Sequence, residues 1–377
     1  MTDAVAQSFL VDKRQLDRWE LRQWQIDESS LLPGQVLLRV ERFAFTANNV
    51  TYAALGDAMH YWRFFPAPDG LGCIPVWGFA GVQASRCDGI APGERFYGYY
   101  PMASHVVVQP AQVTSHGFVD AAEHRSELAV VYNQYLRCAR DPLYPLASED
   151  LQMLLRPLFT TSFLLDDFFA DNDFFGARCL VLTSASSKTA LGLAHLLHGE
   201  RARRNHHYEI VGLTSSGNLD FVRARGLYDR VLPYDQIPEL DATQPTVCVD
   251  FAGSGATLTQ LHQHLGSALR YSCLVGVSHW DQRGGLPKDL PGPRPCVFFA
   301  PTQAAKRVKE WGGATFQQRL AEHWQSFSAA AAQWLRVEYA QGASAVASVY
   351  QQVLAGRSDP QTGHVMSLSR GGARPVR

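Results

Sequence analysis

Cys179-Leu180-Val181-Leu182-Thr183 is a short apolar run of buried-strand type, and Ser184-Ala185-Ser186-Ser187-Lys188-Thr189 follows it as a polar turn. Ala190, Leu191, Leu193, Ala194, Leu196 and Leu197 then recur at helical spacing. A second strand comes next, Tyr208-Glu209-Ile210-Val211-Gly212-Leu213, and it ends in Thr214-Ser215-Ser216-Gly217-Asn218. Strand, turn, helix and strand in this order make a βαβ unit of the doubly wound kind. The N-terminus of its helix offers free N–H groups and the positive end of a dipole to a diphosphate.

The turn lacks G-x-G-x-x-G and carries serine and alanine instead, which are still small enough for close backbone approach. The hydroxyls of Ser184, Ser186, Ser187 and Thr189 can donate to phosphate oxygens, and Lys188 adds a full positive charge. The plain alternative is a capped helix in an α/β sheet, but a cap needs one hydroxyl, not several around a lysine. The end of the second strand selects the dinucleotide. An NAD site places Asp or Glu there to accept from the ribose 2′-OH, and that carboxylate would repel a 2′-phosphate. Here Thr214 holds the position, with Ser215, Ser216 and Asn218 beyond it and no acid before Asp220. NADP is therefore expected over NAD. Two more apolar runs, Val247 to Gly253 and Tyr271 to Val277, read as strands of the same sheet ending in glycine, and Gly253 and Gly276 join the candidate cofactor residues.

The chain of 377 residues is comfortable for two domains. A hydrophobic content of 46% with 18% charged residues describes a globular protein, and a net charge of −1 gives no electrostatic case for nucleic acid or an anionic membrane. The basic run Arg201-Ala202-Arg203-Arg204 falls at the end of the proposed cofactor helix, where cations suit the dipole, and reads as a solvated helix end. No apolar run approaches the length of a membrane span and no leader is visible at Met1-Thr2-Asp3-Ala4. The seven cysteines form no C-x-x-C pair, and Cys179, Cys248, Cys273 and Cys296 lie in or beside apolar runs, so they read as buried thiols in a reducing compartment. A cytoplasmic address is expected.

Residues 8–115 look β-rich, with strands expected at 36–43, 74–82, 92–98 and 103–109, and residues 121–169 show helical periodicity. Beyond the α/β segment the spacing predicts helices at 315–336 and 343–355 and a closing strand at 363–369.

Several of these runs resemble the medium-chain dehydrogenase/reductase superfamily on its zinc-free quinone and enoyl reductase side. Pro33-Gly34-Gln35-Val36-Leu37-Leu38-Arg39-Val40 is similar to that family's opening strand, Gly78-Phe79-Ala80-Gly81-Val82 to its "G-x-G-V", Pro92-Gly93-Glu94-Arg95-Phe96 to its "x-G-D-R-V", and Asp250-Phe251-Ala252-Gly253 to its "D-x-x-G". The set Thr46-Ala47-Asn48-Asn49-Val50-Thr51-Tyr52, Pro75-Val76-Trp77-Gly78-Phe79 and 184–189 resembles a poorly characterised branch, the DUF2855 family, which carries no assigned reaction. The resemblance implies an α/β protein with a discontinuous, β-rich GroES-like catalytic domain, residues 1–145 and 310–377, around a doubly wound Rossmann domain, residues 146–309. It also implies an active site in the cleft, with the nicotinamide facing the N-terminal domain.

Zinc divides the superfamily. Thr46 or Phe45 stands where zinc members carry Cys, Trp77 where they carry His and Gly78 where they carry Glu, so no metal is expected. Hydride transfer to an activated alkene then needs a donor for the developing enolate oxygen. Asn48, Asn49, Thr51 and Tyr52 supply donors just after the first strand, and Tyr52 resembles a tyrosine near the nicotinamide in several quinone reductases. The structural alternatives are a packed aromatic for Tyr52 and turn formation for the two asparagines. The aromatic run Met59-His60-Tyr61-Trp62-Arg63-Phe64-Phe65-Pro66 floors a pocket for an apolar or flat small molecule, or simply packs.

The leading expectation is an NADPH-dependent reductase of a conjugated carbonyl. Two others stay open: a pathway enzyme using bound nicotinamide for internal redox, elimination or retro-aldol chemistry, and a non-catalytic NADPH-binding protein. Zinc-free relatives pair through edge strands of the cofactor domain, and the late apolar run Arg294-Pro295-Cys296-Val297-Phe298-Phe299-Ala300 suits that role, so a homodimer is expected.

Overall fold

The computed structural model describes residues 5–204, 206–275 and 289–369. The chain divides into two compact units, residues 1–157 with 329–377, and residues 158–328. Both changes of unit fall inside helices, Glu149–Asp171 and Gly313–Ala331.

In the second unit the described residues form a six-stranded parallel sheet. Its order is Arg230–Pro233, Glu209–Thr214, Cys179–Leu182, Thr246–Asp250, Leu269–Leu274 and Cys296–Val297. The chain starts in the middle, winds out to one edge, then returns to wind out to the other. That is the doubly wound order, and the reversal beside Cys179–Leu182 opens a crevice at the carboxyl ends of the strands. Leu180, Val181, Ile210, Val211, Val247, Cys248 and Val249 are fully buried, as strands covered on both faces must be. Ser162 on the helix Glu149–Asp171 donates to the Thr189 carbonyl at 2.8 Å, and a Cβ on Gly192 would stand 2.7 Å from the same hydroxyl. The helix after the first strand therefore packs on its neighbour at a distance only glycine permits. Gly212 plays the same part beneath the turn, since a Cβ there would lie 2.9 Å from the Ala185 Cβ and from the Tyr228 ring.

Ahead of the first strand, Asp173, Phe174 and Phe175 hold φ of 48°, 49° and 53° and Gly176 holds 67°, a left-handed turn. Its rings are clamped, Phe174 against Tyr208 (4.9 Å) and Phe175 stacked on Tyr271 (4.1 Å).

The first unit is β-rich and draws on both ends of the chain. Its nine-stranded sheet runs Arg336–Gln341, Thr362–Ser367, Val36–Phe45, Pro75–Ser85, Arg95–Pro101, Gln134–Arg137, Gly117–Asp120 and Pro110–Ala111, with His105–Val108 also paired to Val36–Phe45. A three-stranded sheet of Trp19–Gln25, Val5–Asp12 and Leu71–Gly72 lies in the same unit. Phe9, Val36, Phe43, Phe45, Val76 and Tyr350 belong to one buried cluster, in which the C-terminal helix Ala343–Leu354 joins the N-terminal strands.

Four expectations are corrected. Residues 121–148 hold short 3-10 turns and the strand Gln134–Arg137, and the helix begins only at Glu149. Pro142 and Pro145 disfavour helix before them, and the backbone of Gln134–Arg137 pairs with strands on both sides. The helix expected to reach Arg336 ends at Ala331, and Arg336–Gln341 is a strand parallel to Thr362–Ser367. Arg201 and Arg204 are paired with Asp229 and Asp166 rather than merely solvated. Cys296 is exposed, while Cys179, Cys248 and Cys273 are buried and all seven thiols are free. No helix among the described residues is long and apolar enough to cross a membrane.

Gly212→Ala is expected to lower the urea unfolding midpoint of the second unit, at a cost of about 1–3 kcal/mol for overpacking. Gly199→Ala, in the helix Lys188–Glu200 with no atom within 4 Å of the added methyl, is expected to leave it unchanged or raise it by about 0.5–1 kcal/mol. Equal midpoints for the two variants would remove the steric account.

Candidate functional site

Each unit carries one group of candidate residues. In the second unit the group is built at the carboxyl end of the first strand. Thr183 is fully buried, and its hydroxyl donates to Asp250 Oδ1 at 2.6 Å while accepting the N–H groups of Phe251 (2.9 Å) and Ala252 (3.1 Å). Asp250 Oδ2 accepts the Gly253 N–H at 3.2 Å, and burial pushes this carboxyl above its ordinary value despite those donors. The turn after the first strand and the loop after the fourth are thereby tied at their roots.

The turn itself is held by backbone. Ser184 takes a left-handed φ of 48°, and its N–H donates to the Tyr234 hydroxyl at 2.9 Å. The Ala185 N–H donates to Leu213 O at 2.9 Å, and the Tyr228 hydroxyl donates to Ala185 O at 3.0 Å. Ser187 caps the helix Lys188–Glu200 by accepting the Ala190 N–H. Lys188 is the first helical residue and is half-buried. No acceptor faces the N–H groups of Ser186 and Thr189 among the described residues. Open N–H groups at a helix start, with small residues in the turn, fit a phosphate group.

Ser186 is where the two strand ends meet. Its hydroxyl accepts from Thr214 at 3.4 Å and from the Asn218 amide at 3.2 Å. Thr214 is buried, Asn218 half-buried, and Ser215 and Ser216 are exposed in the turn that follows. Of the cofactor candidates, then, Ser184, Ser186, Ser187, Lys188 and Thr189 line one turn, with Thr214 and Asn218 joined to it. Gly253, at φ 63°, belongs to the loop tied through Asp250. Gly276 lies outside the described residues. The hydroxyls of Tyr228 and Tyr234 were not among the candidates. They reach the turn from over forty residues downstream, and no local spacing signals that.

In the first unit the candidates sit on the short helix Ala47–Ala54. Thr46 and Asn49 form a capping box, and Asn49 also donates to Pro75 O at 3.0 Å. The Asn49 amide is therefore committed to the fold. Thr51 donates to Ala47 O within its own helix. Tyr52 is different. It is buried, its hydroxyl accepts from Trp77 Nε1 at 3.5 Å, and the polar groups of Asn48 and Tyr132 act on it electrostatically. Burial holds this phenol well above the ordinary tyrosine range, so it stays protonated.

Around Tyr52 the rings of Tyr61 (4.6 Å), Tyr99 (5.6 Å) and Tyr132 (6.4 Å) close in. Phe64 from the aromatic loop packs on Tyr99 at 5.3 Å. Behind that loop, Arg125 is 1% exposed, pairs with Asp120, donates to Phe64 O and lies 4.6 Å over the Phe65 ring. A fully buried ion pair thus fixes the loop. Among the described residues no three of His, Cys, Asp and Glu are grouped as a metal site, and Thr46 and Trp77 serve a helix cap and an aromatic stack.

Comparison with known proteins bears on the fold. The structure resembles CurA from Vibrio vulnificus in complex with NADPH, with a TM-score of 0.60 and 13% identity over 97% of this chain and 99% of that one. It also resembles the Etr1p complex with NADP and crotonyl-CoA (0.58, 12%, 97% and 100%) and the yhdH oxidoreductase from Salmonella enterica in complex with NADP (0.51, 15%, 96% and 100%). At these identities the likeness establishes the architecture alone, a β-rich GroES-like unit and a Rossmann unit. No curated protein matches the sequence. A family model described as "Protein of unknown function (DUF2855)" matches residues 43–359, most of the chain, and this protein belongs to that family.

Proposed function

We propose that this protein is an NADPH-dependent, zinc-independent reductase of a conjugated carbonyl compound. The observation that carries the reading is the end of the strand Glu209–Thr214, where hydroxyls and an amide stand and no carboxylate precedes Asp220. The turn from Ser184 to Thr189 would hold the diphosphate of NADPH, with Ser187 and Lys188 at the helix start. Ser215, Ser216 and Asn218 would meet the 2′-phosphate. Bound NADPH supplies a hydride. Tyr52 would donate a hydrogen bond to the carbonyl oxygen and then a proton to the enolate, and Asn48 and Trp77 would hold its hydroxyl in place. The NADP-bound and NADPH-bound neighbours support this assignment by fold.

Fluorescence titration is expected to give NADPH binding tenfold to a hundredfold tighter than NADH, the equivalent of about 1.5–3 kcal/mol for charged hydrogen bonds to the 2′-phosphate. Asn218→Asp should erase most of that preference by placing a carboxylate beside the phosphate, and Lys188→Ala should weaken NADPH. Equal affinity of the wild type for both cofactors would sink the reading.

NADPH consumption with a panel of enones and quinones tests the reaction, which should survive a chelator. Tyr52→Phe is expected to lower turnover about 10²- to 10⁴-fold, the usual weight of a general acid, with NADPH affinity unchanged. Because burial raises the Tyr52 pKa, its donor form is lost only above the usual tyrosine value of about 10, and no alkaline limb should appear below that pH. An unchanged rate in the phenylalanine variant would assign the proton elsewhere.

A cytoplasmic homodimer completes the proposal. The edge strand Cys296–Val297 pairs on one side with Leu269–Leu274, and Val297 is 54% exposed. Phe298 instead packs on Phe168 at 5.5 Å, so it is not the residue to test. Light scattering should give twice the 41.8 kDa chain mass, and Val297→Asp should halve it.

A further inference from the structure

The first unit holds donors that the proposed reaction does not use. Tyr97 and Tyr99 are alternate residues of the strand Arg95–Pro101, so their side chains leave the same face. Trp77 lies against both, stacked on Tyr97 at 5.5 Å and tilted against Tyr99 at 5.0 Å. Both hydroxyls are buried, and neither has a hydrogen-bond partner among the described residues. Tyr52 is an electrostatic neighbour of each.

An unsatisfied buried hydroxyl costs about 1–3 kcal/mol, and phenylalanine would fill either position without that penalty. Packing alone therefore gives no reason for two such tyrosines side by side. Their surroundings describe the missing partner. Burial keeps both phenols protonated, so each holds an O–H free to donate to an acceptor. Fixed charge nearby is cancelled: Arg156, over the Tyr97 ring at 4.6 Å, is paired with Asp141, and Arg125 with Asp120. The neighbours of the pair are aromatic rings, among them Tyr52, Phe64 and Phe79, and Trp77 and Tyr132 are the half-buried members of the cluster.

We propose that Tyr97, Tyr99 and Trp77 form a subsite for an uncharged, planar ring ketone or quinone, whose oxygen accepts from the two orphan hydroxyls. This rests on the reductase reading, and it selects cyclic aromatic carbonyls over acyl groups on charged carriers. Such a ligand restores the hydrogen bonds the ligand-free protein lacks, and its ring stacks on the indole.

The test is calorimetric binding of 1-tetralone to the full chain, with 1-naphthoate as the charged counterpart and NADPH titrated separately. Wild type should bind 1-tetralone and reject 1-naphthoate. Tyr97→Phe and Tyr99→Phe should each weaken 1-tetralone about three- to tenfold, one hydrogen bond's worth, while the thermal midpoint of the ligand-free protein stays level or rises. No binding of 1-tetralone, equal binding by the variants, or a lowered midpoint would overturn the proposal, the last because it would give the hydroxyls a structural partner. If NADPH fails to bind while 1-tetralone behaves as expected, the cofactor assignment falls and the subsite stands.

Discussion

The buried hydroxyl of Thr183 is the interaction on which the second unit's binding surface depends. One side chain donates to Asp250 and receives two backbone N–H groups from the next loop. It thereby joins the ends of two adjacent strands at the place where the sheet reverses its order. Each later contact builds on that join: Ala185 settles on Gly212, Tyr228 and Tyr234 grip the turn, and Ser186 comes level with Thr214 and Asn218. Valine in place of Thr183 would keep the volume, yet it would take one donor from a buried carboxyl and leave the Phe251 N–H unpaired, a cost of about 1–3 kcal/mol.

The first unit solves a different problem. Its loops are long and its aromatic residues many, so position has to come from polar anchors beneath the rings. Arg125 fixes the loop that carries Phe64, and the Thr46 and Asn49 box fixes the helix that carries Tyr52. In both cases the residue facing the ring cluster is held by a neighbour whose own polar groups are spent inward. This separates residues that support from residues that remain able to donate.

Much of this was legible in the sequence where the signal is local. The run from Arg178 to Asn218 declares itself because a buried strand, a hydroxyl-rich turn and a helix each leave a pattern within a few residues. Residues 121–148 mislead for the same reason, because their apolar spacing mimics a helix although Gln134–Arg137 takes partners from two other strands. Tyr228, Tyr234 and the hold of Arg125 on Phe64 leave no local pattern, since those contacts exist only once the chain has folded back. The orphan hydroxyls of Tyr97 and Tyr99 were hidden for a related reason: in the sequence they are two aromatic residues of an ordinary β-strand.

The left-handed turn at Asp173, Phe174 and Phe175 bears on the order of assembly. Each non-glycine residue in that conformation costs about 1–2 kcal/mol, which the local hydrogen bonds from Phe175 N–H to Asn172 O and from Ala177 N–H to Phe174 O offset only in part. Compensation comes from rings on Tyr208 and Tyr271, at the start of the second strand of the parallel sheet and on the fifth. The turn is therefore at its most stable only when strands far along the chain are in place, and the lead into the first strand of the sheet is tied to residues that are synthesised long after it.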